Sequence, residues 1–74
     1  MMHIEFTGFY TYLKAVIEPA VKQWAHEHDY QIDCTMHTGF SSQQAYYEVH
    51  FPSEEAFTHF VMCNPVPAKY KVIP

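Results

Sequence analysis

The spacing of hydrophobic residues along this 74-residue chain changes several times, and each change predicts a new secondary-structure element. Near the N-terminus, His3–Thr7 alternates strictly between apolar and polar residues. Ile4 and Phe6 therefore face one side and their polar neighbours the other, which predicts a half-buried β-strand. Gly8 interrupts the alternation, so we expect the strand to end there.

The next segment, from Phe9 to about His28, has the spacing of an amphipathic helix. Its apolar stripe consists of Leu13, Val16, Ile17, Ala20, Val21 and Trp24. Pro19 lies inside the segment, where it removes one backbone hydrogen bond and clashes with the preceding turn. The stripe continues in phase across the proline, so we predict one kinked helix or two short helices that meet near Glu18.

Two further alternating segments predict a β-hairpin. The first runs from Tyr30 to His37 and the second from Gln44 to Phe51, and residues 38–42 have the composition of a longer hairpin loop. The predicted inward residues are Tyr30, Ile32, Cys34 and Met36 in the first strand and Ala45, Tyr47, Val49 and Phe51 in the second. A loop of this length leaves the register between the two strands open.

A second helix and a last strand complete the chain. Ser53 follows a proline and precedes two glutamates, which is the pattern of a helix N-cap with acidic residues in the first turn. The apolar side of this helix is formed by Ala56, Phe57, Phe60 and Val61, and the helix is predicted to stop at Asn64. Beyond it, Lys69 and Lys71 alternate with Tyr70 and Val72, which predicts a short strand.

The predicted order of elements is strand, helix, strand, strand, helix, strand. This order is typical of a single α+β domain, residues 1–74, with the ferredoxin-like β-α-β-β-α-β topology, an antiparallel sheet and two helices packed on one face. In the usual strand order of that topology, the first strand lies between the third and the fourth.

The other face of such a sheet is uncovered, and the strand residues that point there are mostly polar. The set consists of His3, Glu5, Thr7, Gln31, Asp33, Thr35, His37, Gln44, Tyr46, Glu48, His50, Lys69 and Lys71. Three interpretations compete for this face: a solvated surface with cross-strand charge pairs, a protein interface, and a divalent metal site built from imidazoles and carboxylates.

Composition narrows the class of partner. The six Tyr, six Phe and one Trp exceed what one small core easily buries, which favours a surface for a protein partner. Eight acidic residues face only four lysines and no arginine, so the net charge is −4 and nucleic-acid binding is disfavoured. No signal-peptide pattern and no apolar run of membrane-spanning length occur, so we expect a cytoplasmic protein without membrane association.

The sequence contains no motif that predicts catalysis. Cys34 faces inward and is predicted to be a buried structural thiol, while Cys63 ends the second helix without an obvious base beside it. His26 and His28 are separated by about 200° on a helix, so they cannot share an ion while the helix continues. The two glycines cannot build a phosphate-binding loop, and we expect neither an enzyme nor a bound cofactor.

The sequence therefore predicts a non-enzymatic protein-binding module that either docks on a larger protein or forms a homodimer through the uncovered face. Tyr46 is the predicted anchor, because an exposed ring beside hydrogen-bonding groups buries area and adds specificity. The surrounding predicted contacts are Asp33, His37, Glu48 and His50. Small accessory or inhibitor proteins, including those encoded by phages and other mobile elements, have this profile. The alternative is a metal- or small-molecule-binding protein that uses the histidines and carboxylates of the same face.

Overall fold

The protein has an α+β architecture in which two helices accompany a four-stranded antiparallel sheet. The structure is a computed structural model and describes residues 3–39 and 44–74. The strands are β1 (His3–Phe9), β2 (Asp33–His37), β3 (Gln44–His50) and β4 (Lys71–Ile73). They are arranged in the order β2-β3-β1-β4, and every neighbouring pair is antiparallel.

The first helix consists of three consecutive segments: α1 (Tyr10–Tyr12), a π-helical segment (Leu13–Ile17) and α2 (Glu18–Glu27). At the end of the π-helical segment, the Glu18 N–H donates to the Leu13 carbonyl five residues earlier. Pro19 follows directly, in the first turn of α2. The chain therefore remains helical across the proline, which fits one irregular helix better than two short helices that meet near Glu18, and the irregularity lies in the turn before the proline.

The second helix, α3 (Glu54–Cys63), has the ends that the sequence predicts. The Ser53 hydroxyl oxygen accepts a hydrogen bond of 3.1 Å from the Ala56 N–H, so Ser53 is the N-cap. Asn64 ends the helix in the left-handed conformation, with φ of 46°. No helix within the described part of the chain has both the length and the apolar character needed to cross a membrane.

One hydrophobic core lies between the sheet and the helices. Its buried members are Ile4, Phe6, Leu13, Ile17, Val21, Trp24, Ala25, Ala45, Tyr47, Val49, Phe51, Ala56, Phe60 and Val66. The core draws on both helices and on alternate residues of β1 and β3, so both helices cover the same face of the sheet. Trp24 of the first helix packs edge-on against Phe60 of α3, with ring centroids 5.1 Å apart.

Some residues predicted to point inward do not reach this core. Val16, Val61 and Val72 are 39%, 44% and 43% exposed. Val16 lies in the π-helical segment beside the buried residues Leu13 and Ile17, and Val72 lies on the edge strand β4. The apolar stripe is therefore wider than the surface that the small sheet and its helices can cover.

The strand boundaries also differ from those predicted. β1 continues through Gly8 to Phe9, and β2 begins only at Asp33, although Tyr30 and Ile32 still pack against the core. β4 begins at Lys71, so Lys69 precedes the strand and the prediction that it lies on the open sheet face was wrong. The predicted loop over residues 38–42 lies outside the described residues from position 40 onward.

Candidate functional site

The uncovered face of the sheet gathers histidines and carboxylates around Glu48, at the centre of β3. The register of β1 against β3 places His3 opposite His50 and Glu5 opposite Glu48. Residues directly opposite each other in an antiparallel pair point to the same side of the sheet. These four side chains therefore share the face that the helices leave uncovered, and β2 adds His37 from the other side of β3.

Glu48 holds three imidazoles with its two carboxylate oxygens. Its Oε1 lies 3.1 Å from His50 Nε2 and 3.3 Å from His37 Nε2, while its Oε2 lies 3.3 Å from His3 Nε2. His3 Nε2 also lies 3.5 Å from the Glu5 carboxylate. The Glu48 side chain is only 21% exposed, so these contacts are partly shielded from solvent.

Ring stacking fixes the orientation of the imidazoles. His3 and His50 stack across the β1–β3 pair with ring centroids 4.4 Å apart and an interplanar angle of 21°. His37 stacks in the same way on Tyr46, at 4.3 Å and 13°. Both members of the first pair thus present Nε2 to the same carboxylate.

The electrostatics of the site favour a charged carboxylate. The hydrogen bond from His50 holds the pKa of Glu48 below its usual value, partial burial opposes this effect, and the hydrogen bond from His37 reinforces it. Glu48 is therefore ionised at neutral pH, and it supplies the negative charge around which the histidines are arranged.

The arrangement can hold a metal ion. One ligand atom from each of His3, Glu48 and His50 lies within 4.8 Å of the other two. Zinc binds imidazole nitrogen and carboxylate oxygen at about 2.0 to 2.2 Å, so the edge of a tetrahedral ligand set is about 3.3 Å. His50 Nε2 lies 3.1 Å from Oε1 of Glu48 and His3 Nε2 lies 3.3 Å from Oε2, so each imidazole is about one such edge away from a different oxygen of the same carboxylate. We call these three residues the Glu48 site.

The structure brings some of the residues predicted from sequence into the Glu48 site and leaves others outside it. Glu48 and His50 belong to the site, His37 contacts it, and Tyr46 is half-buried beneath its stacking contact with His37. Asp33 is exposed on β2, opposite His50 in register, and is not part of the ligand group.

The sequence interpretation did not include His3 among the predicted contacts, although its side chain lies against Glu48 and His50. Alternation in β1 places this residue on the outer face, but only the β1–β3 register shows that it lies beside His50.

A second prediction is corrected on the helical side of the molecule. Cys63 was expected to lack a neighbouring base, yet its thiol and a ring nitrogen from each of His28 and His59 all lie within 4.8 Å of one another. The ends of the two helices meet there, which spacing along the chain does not reveal. His50 and His59 fall in separate groups.

Comparison of the chain with protein-family models, with curated proteins and with solved structures gave no match.

Proposed function

We propose that this protein binds a divalent transition-metal ion, zinc foremost, at the Glu48 site on the uncovered sheet face. The observation that carries the proposal is the convergence of two imidazole nitrogens and one carboxylate oxygen within 4.8 Å, from neighbouring positions of β1 and β3. Imidazole and carboxylate are ligands that suit zinc and related ions. The proposed role is binding, and we assign no reaction to it.

Each residue at the site has a distinct proposed role. Glu48 supplies the charged oxygen, and His3 and His50 supply neutral nitrogens once their Nε2 atoms are free of protons. His37 orients the Glu48 carboxylate from outside the ligand set, as outer hydrogen-bond partners do in metal sites. Three protein ligands leave a fourth position of a tetrahedral ion open to water or to a small molecule.

Zinc titration of tag-free, chelator-stripped protein against a competing chelator tests the proposal. We expect His50→Ala to lower the affinity by at least about 10-fold to 100-fold, the range that loss of even an outer partner produces. The matched control is His26→Ala, because His26 is an exposed histidine of α2 outside both ligand groups. Zinc binding that is equal in wild type, His50→Ala and Glu48→Gln would overturn the proposal.

A second candidate function is protein binding through the same face, with a larger protein or a second copy of this chain as partner. The observation that favours it is the half-buried Tyr46 ring, held flat against His37 at 4.3 Å beside the Glu48 site. A ring that is already ordered loses little side-chain freedom on binding and can act as an anchor.

Sedimentation velocity over a concentration series tests self-association, with wild type compared to Tyr46→Ala and to the control Tyr12→Ala. Tyr12 is 43% exposed and lies in the first helix rather than on the open face. A concentration-dependent dimer that Tyr46→Ala abolishes and Tyr12→Ala retains supports this function, and a dimer unaffected by Tyr46→Ala contradicts the placement.

We also propose that the fold is ferredoxin-like. The alternation of strands and helices along the chain supports this assignment, as does the position of β1 between β3 and β4. We propose a cytoplasmic location as well, because Cys34 and Cys63 are free thiols of a kind that persists in a reducing compartment.

A further inference from the structure

The C-terminal ends of α2 and α3 bring together a second group of metal-ligating side chains, separate from the Glu48 site. It consists of His28, which directly follows α2, and of His59 and Cys63 of α3. One ligand atom from each lies within 4.8 Å of the other two. Because the helices cover the opposite face of the sheet, this group and the Glu48 site cannot share an ion.

Local structure explains why these residues meet. His59 and Cys63 are four residues apart on α3, so their side chains lie on the same face, one turn apart. His28 is held by its N–H, which donates to the Trp24 carbonyl at 3.1 Å. Asp29 then adopts the left-handed conformation, with φ of 60°, and turns the chain back toward α3.

Neighbouring rings hold the two histidines in place. The Tyr30 hydroxyl lies 3.1 Å from Nδ1 of His59, and when Nδ1–H donates to this oxygen, Nε2 of the same ring is free to bind an ion. Histidines that bind metals usually have their other nitrogen fixed by such an outer partner. The rings of His28 and His59 lie 4.5 Å apart at 72°, and both contact Trp24, at 5.4 and 5.5 Å.

The surroundings favour a cation. A groove next to His59 is lined by Tyr30, by Met62 and by the two carboxylates of the first turn of α3, Glu54 and Glu55. These acidic residues place negative potential beside the ligand group, which favours the approach of a cation. Cys63 and His28 are exposed, so an ion reaches them from solvent without any rearrangement of the core.

We propose that His28, His59 and Cys63 form a second metal site with one thiolate and two imidazoles, suited to zinc. Thiolate and imidazole together are preferred zinc ligands, and three protein ligands leave the fourth position open. The site differs from the Glu48 site in chemistry, because only this one contains sulfur. When the ion binds, the Cys63 thiol releases its proton to solvent and a metal–sulfur bond forms, with no change of oxidation state.

Cobalt(II) titration of the reduced, tag-free protein separates the two sites. Sulfur bound to cobalt gives a charge-transfer absorption in the near ultraviolet that a site of nitrogen and oxygen ligands lacks. We expect this band in wild type and, undiminished, in His50→Ala, in which the Glu48 site is destroyed. Cys63→Ser should abolish the band, and His59→Ala should weaken the cobalt affinity by at least about 10-fold to 100-fold.

The matched control is Cys34→Ala, because Cys34 is the other free thiol and lies on β2, away from this group. It should keep the band. A band absent from wild type, or one that persists in Cys63→Ser, would overturn the second site. If the second site is refuted but His50→Ala still lowers zinc binding, the proposal of the Glu48 site stands. The two proposals can therefore fail independently. Circular dichroism of each variant confirms that it remains folded.

Discussion

Replacement of Glu48 by glutamine is the sharpest perturbation of the Glu48 site. The change keeps the size and shape of the side chain but removes its charge and turns one of its two acceptor oxygens into a donor. In the wild type, both oxygens have imidazole nitrogens at 3.1 to 3.3 Å. The single oxygen of a glutamine can accept hydrogen bonds only from the histidines on one side of the carboxylate. The variant therefore loses the charged oxygen of the proposed site, and at least one histidine loses its hydrogen-bond acceptor.

The size of the effect follows from the ligand count and the size of the domain. Loss of an outer partner costs 10-fold to 100-fold in metal affinity, so loss of a charged ligand should cost at least about 100-fold, or about 2.7 kcal/mol. At free zinc 100 times the wild-type Kd, binding stabilises the wild type by about 2.7 kcal/mol and the variant by about 0.4 kcal/mol. At about 4 to 8 °C per kcal/mol for a domain of this size, Tm should rise by about 10 to 20 °C and about 2 to 3 °C respectively.

Thermal melts followed by circular dichroism, with and without buffered zinc, measure this difference. Both proteins should carry Cys63→Ser, so that the second ion does not add its own stabilisation. Glu27→Gln is the matched control, since Glu27 is an exposed carboxylate of α2 whose side chain accepts from Gln23. If zinc raises Tm equally in Glu48→Gln and in the wild type, Glu48 is not a ligand and the reasoning fails.

Three further predictions concern the fold and its response to pH. Tyr47 is fully buried, and its hydroxyl meets no partner of good hydrogen-bond geometry among the described residues, only the weakly bonding thiol of Cys34, so Tyr47→Phe should raise the free energy of unfolding by up to about 1 kcal/mol in urea melts; a decrease would show that the Cys34 contact satisfies the hydroxyl. Pro19→Ala should stabilise by less than about 1 kcal/mol, well below the 3 kcal/mol typical of an interior proline, because the preceding π-helical turn already accommodates the ring. The lowered pKa of Glu48 means that its contribution to stability is present above pH 4.5 and is lost as the pH falls through its folded-state value. Wild type should therefore lose stability below pH 4.5 more steeply than Glu48→Gln, and equal slopes in acid denaturation would contradict the assignment.

The faces of the strands could be predicted from the sequence, whereas the neighbours across strands could not. Alternation with a period of two determines which face of the sheet each residue of β3 points to. Tyr47 and Val49 were therefore correctly predicted to point inward, and Glu48 and His50 outward. Neither the strand order nor the register of β1 against β3 follows from alternation. The approach of His3 to His50 depends on both, and for that reason it appears only in the structure.

The second ligand group was harder to predict, for a related reason. Helical periodicity shows that His59 and Cys63 share a face of α3, but the third ligand comes from the end of another helix. How closely His28 approaches depends on the left-handed turn at Asp29 and on the packing of Trp24 between the helix ends. The π-helical segment could not be predicted either. Pro19 shows that one backbone hydrogen bond of the helix is missing, but it does not show which turn of the helix changes its geometry as a result.

One atom, Oε1 of Glu48, would couple the two functions proposed for the uncovered face. His37 and His50 both contact Oε1 of Glu48, and His37 in turn supports the ring of Tyr46, the predicted anchor for a partner. An ion that binds Glu48 and His50 competes with His37 for this oxygen. It would therefore weaken the hydrogen bond that positions the His37 ring. Zinc should therefore change partner affinity if both functions operate, and by linkage the partner must change zinc affinity by the same factor. Partner or dimer affinity that is identical with and without zinc would show that the face serves one function alone or both independently.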